Sequence, residues 1–224
     1  DTIEECDYSA VAQWRESGRK VLGHFQVYFP QELAHAAGVL PVKISGGAIE
    51  PTQAESRFGS YLCSILKTSL ELSLSGALEL DLFVSHPICD AARNLAAVWG
   101  RNFDYPCRIL YLPQNANSAG SIPYLRSEYA RLLEEIEEIG GKKVSDQDLQ
   151  NSIGLYNRTR ALVREIYEIK RSTPWKIAAE DAYSLVAIGG FIPVEEHLEL
   201  LTAVAPMIHA RVAKAEDRIR VVFE

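Results

Sequence analysis

The stretch Lys20-Val-Leu-Gly-His-Phe-Gln-Val-Tyr-Phe-Pro-Gln-Glu-Leu-Ala-His-Ala-Ala-Gly-Val-Leu-Pro-Val-Lys-Ile-Ser45 decides the fold. Lys20 to Phe25 and Val42 to Ser45 are short apolar runs of strand character. Between them, Pro30 is placed to open a helix and Gly38 to close it. Strand, helix and strand in so short a span predict a βαβ unit and a parallel sheet. Working outward, Leu82 to His86 and Arg108 to Leu112 predict two further strands. The connecting helices are read from Phe58, Tyr61, Leu62, Ile65, Leu66 and Leu70, stopped by Gly76, and from Ile88 to Trp99. The fold class is therefore α/β: a small four-stranded parallel, flavodoxin-like sheet with flanking helices. Ligands in such sheets gather outside the carboxyl ends of the strands.

From Ile122 the pattern turns helical, so residues 1–120 read as the α/β domain and 121–216 as a helical extension packing on it. Leu125, Tyr129, Leu132, Leu133 and Ile136 form one apolar face before Gly140-Gly141, and Ser145 with Asp148 resembles a capping box opening the next helix. That long helix turns Leu149, Ile153, Tyr156, Val163 and Ile166 inward. Another helix is predicted at Ala178 to Ala187, and a last one from Pro193, kinked by Pro206. Arg218 to Phe223 reads as a strand entering a second α/β domain of which residues 217–224 are only the start.

The chain has 224 residues, of which 47% are hydrophobic and 24% charged, which excludes disorder, collagen-like repeats and a disulfide-dense miniature scaffold. Its 23 basic and 30 acidic side chains give a net charge of −7, with no basic run, arguing against nucleic acid as a partner. No run approaches the roughly 18 apolar residues of a membrane span. Asp1 to Asp7 is acidic where a secretory signal is basic, so the chain reads as cytoplasmic, and a first residue of Asp reads as the start of a segment of a longer product.

Standard signatures for nucleotide binding, zinc proteolysis and serine hydrolysis are absent. Chemistry then falls to cysteine. Cys6, Cys63, Cys89 and Cys107 form no C-x-x-C pair and are too widely spaced for a disulfide framework. Cys63 begins the helical pattern after the second strand, and Cys89 follows the third in His86-Pro-Ile-Cys-Asp90. Both are expected near the carboxyl edge of the sheet, where two sulfurs at helix amino ends suit a metal or an iron–sulfur cluster. The plainer alternative is that each is a small buried hydrophobe.

Several motifs then occur in order: Tyr28-Phe-Pro-Gln-Glu32-Leu33, Ala36-Ala-Gly-Val-Leu-Pro-Val42, Tyr61-Leu-Cys63, His86-Pro-Ile-Cys89-Asp90-Ala-Ala-Arg93-Asn94 and Tyr111-Leu-Pro-Gln-Asn115. This ordered set resembles the benzoyl-CoA reductase and 2-hydroxyacyl-CoA dehydratase family. Pro174-Trp-Lys176 and Ile192-Pro-Val-Glu-Glu-His197 look most like the smaller cluster-bearing subunit of the ATP-dependent benzoyl-CoA reductases. The resemblance implies a subunit of two α/β domains holding a 4Fe-4S cluster through three cysteines. Cys63 and Cys89 match the two from the first domain; Cys6 and Cys107 match neither ligand position, and the third cysteine is expected outside this segment. It further implies an aromatic acyl-CoA substrate, a homologous second large subunit, ATP-hydrolysing electron-activating subunits and a ferredoxin-type donor.

Around the cysteines, His86 and Asp90 are candidates for proton transfer or for hydrogen bonds that adjust the cluster; the alternative is that Asp90 caps a helix and His86 bonds to backbone. His24, Tyr28 and Glu32 follow the first strand and are candidates for substrate binding, although Glu32 suits a helix amino terminus in any case. His35, His197 and His209 lie in helical patterns and read as structural, and Glu134 to Glu138 as a solvated face. Rival readings are a dehydratase subunit, a metal-free subunit binding CoA esters or proteins, and a flavodoxin-like flavin module.

Overall fold

The computed structural model describes residues 8–25, 28–59 and 61–214. Cys6, the acidic start and the strand predicted at Arg218 to Phe223 lie outside the described residues. The chain divides into two compact units, residues 1–152 and 153–224.

The first unit is an α/β fold with four parallel strands, β1 (Val21–Phe25), β2 (Leu40–Ile44), β3 (Leu82–Ser85) and β4 (Cys107–Ile109), in the order β2-β1-β3-β4. Val21 pairs with Leu40, Leu22 with Leu82 and Phe83 with Cys107. Every residue of β1 and β3 is buried, as expected of parallel strands covered on both faces. Helix α1 (Ser9–Glu16) precedes β1. Helix α2 (Gln31–Ala36) crosses from β1 to β2; α3 (Thr52–Glu55) and α4 (Ser64–Leu74) cross from β2 to β3; α5 (Asp90–Trp99) crosses from β3 to β4. Gly38, at φ 74°, follows α2 in the left-handed conformation that ends a helix cheaply.

Right-handed crossovers put α4 and α5 on one face of the sheet, where they pack against each other and where Trp99 stacks on Phe83 at 4.0 Å. The other face is covered by α2 and by α6 (Ser121–Gly140). Leu22, Val84, Leu33, Ala34, Leu132 and Ile136 share that core. Gly141, at φ 66°, ends α6. The predicted capping box opens α7 (Asp146–Ser172): Ser145 N–H donates to the Asp148 carboxylate at 3.0 Å, and Asp148 N–H donates to Ser145 Oγ at 3.1 Å. Hydrogen bonds from Lys142 and Ser145 hold the Asp148 carboxyl well below the usual range.

Four boundaries differ from the sequence reading by two residues or more. β2 starts at Leu40, because Leu40 and Pro41 pair with β1, and Pro41 is tolerated in a strand paired on one side. β4 stops at Ile109 rather than Leu112. α5 starts at Asp90 rather than Ile88. The helix read from Phe58 begins only at Ser64, and Tyr61 stands 89% exposed in the loop before it.

In the second unit, α7 ends and is followed by α8 (Ala179–Ala187) and α9 (Val194–Ala210), which continues past Pro206. Ile166, Ile169, Ile177, Leu201 and Ile208 form its core. Among the described residues no helix is long and apolar enough to cross a membrane.

If α6 seals one sheet face, Leu132→Ala should leave a cavity under it, since Leu132 is fully buried. The expected loss is about 2–5 kcal/mol of unfolding free energy, measured by urea denaturation; a loss below about 1 kcal/mol would place α6 elsewhere.

Candidate functional site

The order β2-β1-β3-β4 reverses direction between β1 and β3, so the crevice at the carboxyl ends of these two strands is the favoured ligand position. The loops leaving the two strands meet there: the Tyr28 ring lies edge-on to His86, with centroids 6.4 Å apart. Two of the helices that start at this rim are α4 and α5. Cys63 occupies the N-cap of α4 and Cys89 the N-cap of α5. Both cysteines are exposed, so the reading of them as buried packing residues fails. The exception is Cys107, partly covered on β4, whose thiol burial pushes up to about 11.

Cys89 performs the capping expected of Asp90. Its backbone is extended and its sulfur accepts a hydrogen bond from Ala92 N–H at 3.3 Å, satisfying a donor that the helix leaves open. Asp90 instead sits one residue inside the helix, with its side chain 93% exposed and Arg93 at 3.8 Å.

His86 is only 1% exposed, and neither ring nitrogen makes a hydrogen bond of good geometry within the protein. Burial lowers its pKa from 6.5, and the nearby backbone of Phe25 and Tyr28 opposes that shift without reversing it. The backbone groups of Phe25 and Tyr28 thus stand beside the ring, where the backbone-bonding alternative puts them. His24 is also buried; it stacks on Phe29 at 4.7 Å, with Gln31 Nε2 3.3 Å from its own Nε2. Tyr28 is 57% exposed at the mouth of the crevice. Glu32 lies in the first turn of α2, and its backbone carbonyl accepts a bond from Ser152 Oγ.

The histidines read as structural are engaged in packing contacts. His35 bonds Ser152 Oγ at 2.9 Å, His197 bonds the Leu185 carbonyl at 2.8 Å, and His209 meets Glu165. Sequence reasoning missed a cleft of about 320 Å³ beyond β4, lined by Tyr111, Pro113, Asn115 and Tyr124. A larger cavity of about 510 Å³ opens at the opposite rim, where Arg15 and Lys20 pair with Asp81 and Glu79. It lies at the rim opposite Cys63 and Cys89. Among the described residues, no three His, Cys, Asp or Glu side chains gather as a complete metal site.

Residues 26–224 match the sequence profile of the family described as 2-hydroxyglutaryl-CoA dehydratase, D-component. The chain belongs to this family. It is 35% identical over 226 residues to one of the subunits of benzoyl-CoA reductase from Thauera aromatica, a match that takes in 98% of this chain and 58% of that relative. It is 26% identical to the (R)-phenyllactyl-CoA dehydratase beta subunit of Clostridium sporogenes, covering 99% of this chain and 60% of the relative. The beta subunit of (R)-2-hydroxyglutaryl-CoA dehydratase from Acidaminococcus fermentans is likewise 26% identical, with 95% and 57% covered. This member of the family thus spans a little over half the length of these relatives.

In this family member the buried histidines have a pH signature. Burial lowers the pKa of both His86 and His197 below 6.5. Above 6.5 both states of the protein hold them neutral; as pH falls below it, the unfolded chain binds protons that the folded chain does not. Stability is therefore fully present at neutral pH and lost as pH drops toward the lowered values, with a slope approaching about 1.4 kcal/mol per pH unit for each histidine. His86→Leu should flatten the His86 part of that slope in pH-dependent urea unfolding. An unchanged slope would mean that His86 titrates normally in the folded protein.

Proposed function

We propose that this chain is part of the cluster-binding subunit of an oxygen-sensitive, cytoplasmic enzyme. The enzyme reduces an aromatic acyl-CoA of the benzoyl-CoA type to a cyclic dienoyl-CoA, with low-potential electrons from a ferredoxin-type donor driven in by ATP-hydrolysing partner subunits. The observation that carries this reading is the pair of exposed cysteines, each at the N-cap of a helix that starts at the carboxyl rim, the two helices packed side by side.

The donor set suits two ligands of a 4Fe-4S cluster: two thiols open to solvent, one already accepting a backbone N–H bond of the kind that orients and tunes a ligand sulfur. The remaining donors must come from outside the described residues. When bound, a cluster held by three thiolates leaves one iron open to substrate and passes low-potential electrons to a thioester-activated acceptor.

The chain's own residues supply the surroundings. Cys63 and Cys89 hold the inorganic centre, and Ala92 N–H fixes the direction of the Cys89 sulfur. Tyr28, exposed beside His86, offers an aromatic face against which an acyl ring can pack. His24 and Glu32 back this position from β1 and α2. His86, neutral at pH 7, is the group placed to carry a proton on a ring nitrogen, and Asp90, exposed at the start of α5, is a second candidate for proton transfer. Tyr61 and Ile88 are exposed at 89% and 54%. Covering them, the part assigned to the homologous second large subunit, excludes water and oxygen from the rim.

The second reading is a 2-hydroxyacyl-CoA dehydratase subunit, favoured by the family description and by two of the relatives. Product analysis separates the two. The anaerobically purified full-length complex should contain iron and labile sulfide and reduce benzoyl-CoA only with ATP. An unsaturated acyl-CoA formed from a 2-hydroxyacyl-CoA, with no net electron consumption, assigns the dehydratase. In either enzyme Cys63→Ala and Cys89→Ala should each lower activity by more than about tenfold and deplete iron; full iron and activity in both variants would end the cluster reading.

A further inference from the structure

Three polar residues of α4 point to a task beyond the apolar core. Lys67, Thr68 and Glu71 are all buried, an unfavourable position for charged groups unless they are paired and hydrogen-bonded. The Glu71 carboxylate reaches α3 and accepts bonds from Gln53 N–H at 2.9 Å, Ala54 N–H at 2.8 Å and Thr52 Oγ1 at 3.2 Å. The residue before α3 is Pro51, which caps nothing. Glu71 thus supplies from a neighbouring helix what a Ser or Asp N-cap would supply locally. Lys67 Nζ pairs with Glu55 at 2.8 Å at the other end of α3. Thr68 Oγ1 accepts from Gly47 N–H at 3.3 Å, and Gly46, at φ 71°, passes so close that a Cβ there would stand 2.5 Å from the same oxygen. The far end of the segment is tied as well. Arg57 donates from Nε to Asn102 Oδ1 at 2.6 Å, while Asn102 Nδ2 donates to the Val98 carbonyl of α5 at 2.7 Å.

We infer that residues 46–57 form a strap, fastened chiefly by Glu71, that joins α4 to the end of α5 and positions Cys63 for its inorganic ligand. This rests on the reading of Cys63 as a ligand. Glu71 is a positioning residue: it touches neither sulfur, and acts by fixing the chain that enters the Cys63 cap.

The test uses the full-length protein in its metal-free and anaerobically loaded forms. In the metal-free form, alkylation by iodoacetamide is followed at Cys63, Cys89 and Cys107 by mass spectrometry. Glu71→Ala should change the Cys63 rate by about fivefold or more while leaving Cys89 and Cys107 within about twofold, and should speed amide exchange at Gln53 and Ala54. Glu71→Gln, which keeps an acceptor oxygen, should restore wild-type rates. Arg57→Ala, on the exposed side of the strap, should move Cys63 in the same direction and decides the matter if Glu71→Ala does not fold. In the loaded form, Glu71→Ala should lose iron to a chelator several-fold faster than wild type. Unchanged Cys63 alkylation in the folded variants, or equal acceleration at all three cysteines, overturns the strap. Wild-type protein without iron would overturn the functional reading instead, leaving alkylation and exchange to judge the strap alone.

Discussion

Parallel strands force the helices that follow them to begin at one rim, and each of those beginnings leaves backbone N–H groups without partners. In this chain cysteine stands at two of those beginnings. The sulfur of Cys89 takes the place of the oxygen that usually completes a helix start. The consequence is a division of labour within one residue. The helix uses the sulfur as an acceptor, while exposure leaves the remaining coordination capacity of that sulfur directed outward. Cys63 shares the position without the cap bond, so its placement depends more on the chain that leads into it.

The opposite rim shows the contrast. There Asp81 accepts from Val21 N–H at 2.9 Å and pairs with Arg15 and Lys20, tying α1 and the starts of β1 and β3 into one knot. The cavity at that end is the larger, yet its charged lining is already matched internally. At the carboxyl rim Cys63 and Cys89 are exposed, and the buried ring of His86 has no side-chain hydrogen-bond partner. Unsatisfied buried groups cost stability, and proteins tolerate them mainly where chemistry needs them. Volume therefore points to one rim and chemical incompleteness to the other.

Local sequence signals carried the architecture. Glycine after α2 and α6, the Ser145–Asp148 box and the near-continuous apolar runs of β1 and β3 each have a mechanism acting within a few residues, and each appears where it was read. The misreadings have a different origin. Tyr61 and Leu62 keep helical spacing with Ile65 and Leu66, yet they lie in a loop, because Cys63 takes a non-helical N-cap conformation and the helix starts only at Ser64. Asp90 has the right residue type for a cap, but the cap is one position earlier, and nothing local distinguishes a sulfur that caps from one that packs. The burial of His24 follows from strand pairing across the sheet. Glu71 reads as an ordinary charged helix residue until α3, remote in sequence, is folded against it.

That last pairing bears on how a rim of this kind can be both open and ordered. Exposed side chains cannot be immobilised by packing, because packing would bury them; they have to be held through the backbone behind them. A short helix such as α3 has too few internal hydrogen bonds to stand alone. A buried carboxylate at its start and a buried ammonium at its end give it a fixed seat at the cost of desolvating two charges. An apolar contact of similar area would tolerate sliding, whereas directed bonds to Gln53 and Ala54 admit one register. Rigidity is in this way moved one layer inward from the sulfurs, leaving the Cys63 side chain accessible and its backbone determined.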